Sequence, residues 1–242
     1  MKHSFPESNR KNIAFYFLMG ITAILITVTG ILFKQSFLRM LPLYISLVIA
    51  LLQSHVSRYA PLIGSVNAIL YGIVYIYYHL YASAAYAILI SGPLQLVTFI
   101  RWSKQPWQGS TILRKLSTRQ RLAVSAVSLL LCGTICFMLQ GTGSQYRVLD
   151  SASTILGILA TVLTMLSYIE YTVIMLLGQV CSIVLYIAML QTSPEQITYL
   201  IQSVYTMVCT VSAFLQANRI YAKQQAQKSK NISEPTKEKQ IS

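Results

Sequence analysis

Apolar runs long enough to cross a membrane alternate with short polar breaks along almost the whole chain. The longest stretch without a charge runs from Tyr59 to Ile100, 42 residues. A membrane helix needs ~20 apolar residues, so this stretch predicts two spans and a tight hairpin near His79–Tyr81. Upstream, Ile13–Phe33 is uncharged and ends at Lys34, whereas Leu41–Ser57 is shorter, holds Gln53 and His55, and closes at Arg58. A signal peptide competes for the first run, but no small-x-small cleavage site follows it, which predicts a retained helix. Arg101–Arg121 then breaks the pattern with six Lys/Arg, no acid, and Pro106, Trp107 and Gly109 as turn and interface residues. Four more spans follow, in Leu122–Leu139, Leu149–Tyr168, Tyr171–Leu190 and Ile197–Ala217. From Asn218 onward the composition is polar and basic and predicts disorder.

Composition agrees: the chain is 55% apolar and 10% charged, with a mean hydropathy of +0.57, which places it among polytopic all-α membrane proteins. A net charge of +13 would fit nucleic-acid binding if the charges formed one patch. They do not. With the N-terminus inside, 16 Lys/Arg fall on the inner side and only Lys34, Arg39 and Arg147 on the outer. That asymmetry orients eight spans with both ends in the cytoplasm and removes nucleic acid as a partner. Cys132, Cys136, Cys181 and Cys209 lie in apolar runs without CxxC spacing, the pattern of buried thiols.

A weak internal repeat refines the architecture. Gly64, Asn67 and Tyr71 recur 115 positions later as Gln179, Ser182 and Tyr186, at the same i, i+3, i+7 spacing. Helices 2–4 and 6–8 then form two parallel three-helix repeats joined by a linker helix, with one extra helix in front. The expected units are 1–39 (N-terminus and first helix), 40–102 (first repeat), 103–121 (basic loop), 122–147 (linker helix), 148–218 (second repeat) and 219–242 (basic tail).

Candidate chemistry is confined to neutral polar groups. Amides inside apolar helices are costly unless they meet protein, water or a ligand. Asn67 and Gln95 are therefore pocket candidates, with helix–helix hydrogen bonding as the plainer account. Gln179 and Ser182 carry the same two readings, and Gln202 and Tyr205 share a helical face with Tyr199. Tyr75, Tyr77, Tyr78 and Tyr81 fit an interfacial belt, whereas Tyr71, Tyr86 and Tyr186 lie deeper, where a ring can stack on a flat solute. Asp150 fits an N-cap of the sixth helix, and Glu170 a short inner turn. No carboxylate lies at mid-membrane, no His/Cys cluster offers a metal site, and no Walker A sequence is present. Enzyme chemistry, proton relay and ATP-driven transport thus have no parts, and no cofactor is called for.

Gly64, Asn67, Tyr71, Gly72, Tyr81, Pro93, Gln95 and Trp102, in that order, resemble the first half of the PnuC family of bacterial vitamin transporters, which reads G-x-x-N-x-x-x-Y-G, a further Tyr, P-x-Q and a closing Trp. The family's second half reads E-N-W-x-x-W-x-x-x-N before a Tyr. Here Glu170, Ser182 and Tyr186 match, but Thr172 and Met175 replace the two Trp and Gln179 the Asn. The resemblance implies a facilitative importer of a vitamin or nucleoside-like solute, nicotinamide riboside by default, in a bacterial cell membrane. It also implies rocking of the two repeats and retention of the solute through phosphorylation by a separate cytoplasmic kinase. A homo-oligomer, specifically a trimer, stays open. With the Trp pair missing, thiamine, riboflavin and deoxynucleosides stay open as solutes. So does a non-transporting scaffold or sensor.

Overall fold

The computed structural model describes residues 6–77, 86–107, 109–138 and 147–233. Eight α-helices account for most of them: α1 Pro6–Leu32, α2 Phe37–Ser54, α3 Tyr59–Tyr77, α4 Gly92–Lys104, α5 Thr118–Met138, α6 Arg147–Met165, α7 Tyr171–Met189 and α8 Ile197–Ser233. The expected hairpin near His79–Tyr81 falls outside the described residues. By length and apolar composition, four described segments can cross a bilayer unaided: Ile13–Leu32, Phe37–Ser54, Tyr171–Met189 and Pro194–Ser229. Tyr59–Ile73 and Ile155–Met165 are apolar but shorter.

Helix packing closes a ring. α2 lies on α3, α3 on α4, α4 on α6, α6 on α7, α7 on α8, and α8 returns to α2. α1 rests on α8 and α2, while α5 touches the ring through α6. The outer faces of these two peripheral helices carry large apolar side chains in the open: Phe17 is 69% exposed on α1, and Leu129 is 75% exposed on α5. An apolar surface this continuous belongs in lipid rather than water.

Two clusters hold the ring. One joins α1, α2 and α8 through Ile26, Leu43, Leu47, Ala50, Tyr205 and Cys209. The other gathers Val56, Trp102, Leu113, Leu163, Ile169 and Ile220 at the basic-loop end. There the loop is built into the fold. Pro106–Trp107 (β1) pairs antiparallel with Ser110–Thr111 (β2), a turn that Gly109 permits with φ +86°. Arg114 N–H donates to the Ser167 carbonyl at 2.8 Å, and Ile169 N–H donates back to the Arg114 carbonyl at 2.9 Å. Glu170 accepts from Leu116 N–H and pairs with Arg121 at 2.9 Å.

Two local features differ from the sequence reading. α8 continues to Ser233, well beyond Asn218, where composition alone predicts disorder. Its extension is tied down by Gln224, which accepts from Leu113 N–H and donates to the Thr111 carbonyl, each at 3.0 Å. Asp150 is not the N-cap of the sixth helix. α6 begins at Arg147, so Asp150 lies within the helix rather than ahead of it. Ahead of Pro93, Tyr86–Ser91 forms a π-helical segment that runs into α4. Pro93 lacks the N–H that the regular ladder requires, and a π-turn accommodates that loss.

Candidate functional site

A cavity of about 320 Å³ opens inside the ring, within the ~300–1,000 Å³ typical of small-molecule sites. Each of the six ring helices contributes to its wall: Gln53 from α2, Pro61 from α3, Gln95 and Thr98 from α4, Gly157 and Thr164 from α6, Met175, Gln179 and Ser182 from α7, and Thr206 from α8. Among the described residues, none that lines it is charged.

The wall has a definite hydrogen-bonding character. The hydroxyls of Thr98, Thr161, Thr164 and Thr206 each donate to the carbonyl four residues back, which leaves their oxygen lone pairs as acceptors. Gln53 and Gln179 make no side-chain hydrogen bond among the described residues and offer both a donor and an acceptor. On α6, Ser153, Gly157, Ala160, Thr161 and Thr164 fall on one face of small and hydroxyl side chains. A Cβ built on Gly157 meets nothing within 4 Å. This position faces open space.

Gln95 connects the main cavity to a second one of about 280 Å³. Gly64, Asn67, Tyr71, Ala87 and Ser91 line the smaller chamber. The Gln95 amide donates to Ser91 Oγ at 3.1 Å and lies where a side chain on Gly64 would sit. Asn67 both bonds to a neighbouring helix and lines the smaller chamber. Its amide nitrogen holds α2 through Ser46 Oγ at 3.0 Å and the Pro42 carbonyl at 3.3 Å. Its Oδ1 is buried without a partner, and such an orphaned acceptor needs a ligand or water to satisfy it.

The predicted residues therefore divide. Gln95, Gln179 and Ser182 meet in the main cavity, and Asn67 and Tyr71 meet Gln95 in the smaller one. Gln202 lies one turn from the cavity and contacts Thr206 Oγ1 at 3.4 Å. Tyr205 is packed in the α1–α2–α8 core, 2% exposed, with its hydroxyl donating to the Leu47 carbonyl. Tyr186 stacks on Tyr199 with ring centres 5.8 Å apart, and Arg39 covers Tyr199 while donating to its hydroxyl at 2.9 Å. The Tyr86 side chain lies outside the described residues. Of the two positions where aromatic residues are missing, Met175 lines the cavity, whereas Thr172 is fully buried behind it and donates to the Ile169 carbonyl.

Sequence reasoning passed over Gln53, Thr98, Thr206 and the small-residue face of α6. Its one available signal was the i, i+4, i+8 recurrence of Ser153, Gly157 and Thr161, which marks a helix face kept clear of bulk.

Comparison with known proteins gives two matches. The sequence profile of the family described as Nicotinamide mononucleotide transporter matches residues 36–217. The crystal structure of the Vitamin B3 transporter PnuC superposes with a TM-score of 0.70 at 20% identity, covering 87% of this chain and 91% of that one. No curated protein sequence matches. At that identity the structural match is a likeness of fold.

Proposed function

Since the chain belongs to the nicotinamide mononucleotide transporter family, a family of multi-pass membrane transporters rather than enzymes, we propose that it is a facilitative importer of a nucleoside-like vitamin precursor such as nicotinamide riboside. The observation that carries this reading is the uncharged cavity to which all six ring helices contribute.

A phosphate ester would enter that cavity with no cation to meet it. Desolvating the localised charge of a phosphate with no cation beside it costs several kcal/mol or more, whereas the single positive charge of the riboside is spread over its pyridinium ring, so the wall favours the dephosphorylated riboside over the mononucleotide. Amides on Gln53, Gln95 and Gln179 suit sugar hydroxyls and a carboxamide, and the back-bonded threonines add acceptors. Met175 offers no aromatic face, which keeps thiamine, riboflavin and deoxynucleosides as competing solutes.

In this reading α2–α4 and α6–α8 are the two repeats that rock about the cavity, and the closed ring supports that grouping. No described cavity residue is a carboxylate, so no carboxylate there can carry a coupled proton. Net uptake then depends on phosphorylation by a cytoplasmic kinase. The distribution of basic residues supports an orientation with both termini in the cytoplasm, and the family resemblance supports a bacterial cell membrane. A cysteine introduced at Arg114 should accordingly react with an impermeant reagent only after cells are permeabilised.

Proteoliposomes provide the test. Labelled nicotinamide riboside should equilibrate across the membrane without an ion gradient, and nicotinamide mononucleotide should not. Accumulation above the outside concentration that an uncoupler abolishes, or preferential entry of the mononucleotide, would refute the proposal. An absence of flux for every vitamin and nucleoside tried would favour the scaffold reading.

A further inference from the structure

A separate polar cavity of about 180 Å³ lies at the basic-loop end, where three elements meet. His55 comes from the end of α2, Trp107 and Ser110 from the β1–β2 hairpin, and Gln216, Arg219 and Lys223 from one face of α8. Ser110 is 2% exposed, and its hydroxyl has no hydrogen-bond partner. Trp107 lines the same cavity, and its indole N–H is also buried and unpartnered. Buried polar groups left unpaired are rare, and two on one small cavity call for a shared explanation.

The donors specify what that explanation must be. Trp, Arg and Lys side chains can only donate hydrogen bonds, and the Ser hydroxyl and Gln amide can turn their donors inward. No acidic residue lines the cavity. An acceptor-only ligand carrying negative charge satisfies all five at once, and a tetrahedral phosphate presents enough oxygens to do so. We infer that this cavity binds the phosphate group of an anionic ligand, a site distinct from the solute cavity and independent of its assignment. Arg219 and Lys223 follow directly on the apolar run of α8 that ends at Ala217, the level at which lipid headgroups lie. The phosphate can therefore belong to a phospholipid headgroup or to a soluble phosphate ester.

The test uses full-length protein, the parent beside Arg219→Gln/Lys223→Gln and Ser110→Ala. Both cationic side chains are exposed, so the double variant should keep the fold, and its binding of the transported solute should match the parent's. The detergent-purified protein is titrated with ribose 5-phosphate, with ribose as the uncharged control, by thermal shift. In parallel, protein from bilayers of phosphatidylcholine with phosphatidylglycerol is examined by native mass spectrometry for retained anionic lipid. The expected result is saturable binding of one probe by the parent, weakened roughly tenfold or more in the double variant and several-fold in Ser110→Ala. Binding of the sugar phosphate alone assigns a soluble ligand, and retention of phosphatidylglycerol alone assigns a lipid. The proposal is overturned if the parent binds neither probe or if the double variant binds whichever probe the parent binds with unchanged affinity.

Discussion

The side-chain amide of Gln95 occupies the volume that a Cβ on Gly64 would need, so α3 and α4 meet through a glycine and an amide rather than through two side chains. The obstructing atoms are the end of a flexible chain, which can swing aside. Gly64→Ala should therefore displace the amide without unfolding the protein. Both Gly64→Ala and Gln95→Ala should weaken solute binding by ~5–150-fold, the cost of one buried hydrogen-bond partner. Calorimetric titration of the two variants beside the parent checks this, and equal affinity in all three would remove Gln95 from the site.

Asn67 should behave differently, because it also joins α3 to α2. Asn67→Ala loses the contacts to Ser46 and Pro42, each worth ~0.6–2 kcal/mol between membrane helices. It should lower the unfolding midpoint as well as the affinity, whereas Gln95→Ala lowers the affinity alone. Thermal melts with and without solute separate the two effects.

Gly157 should tolerate bulk and block binding. A side chain there enters open space, so Gly157→Leu should abolish solute binding and flux with little change in the melting temperature. Gly20, on the exposed face of α1, likewise has nothing within 4 Å of a built Cβ. Gly20→Leu is the control and should transport normally. Transport by Gly157→Leu at the parental rate would mean that the solute does not use this cavity.

Met175→Trp should raise the preference for nicotinamide riboside over thiamine, because the new ring faces the solute and can stack on it. Thr172→Trp should instead destabilise the protein by ~1–3 kcal/mol through overpacking, since Thr172 is 0% exposed and already donates to the Ile169 carbonyl. Competition uptake for the first variant and chemical denaturation for the second check the pair.

The sequence by itself determined the helices, their order and the scarcity of charge within them. Those are local properties: an apolar run of a given length has few alternatives in lipid, where the backbone must satisfy its own hydrogen bonds. It also singled out Gln95, Gln179 and Ser182, because a polar group in an apolar helix is conspicuous wherever the chain goes. Only the tertiary structure decided which polar groups face one another. Tyr205 and Gln202 lie three positions apart, yet one fills the core and the other borders the cavity through Thr206. Gln53 carries no pattern that marks it before α2 joins the ring, and the spacing of Ser153, Gly157 and Thr161 marks a face of α6 without showing what that face meets. The course of α8 beyond Asn218 was equally illegible. Its composition is that of a disordered tail, and contacts with Leu113 and Thr111, more than a hundred residues away in sequence, supply the order that local propensity does not.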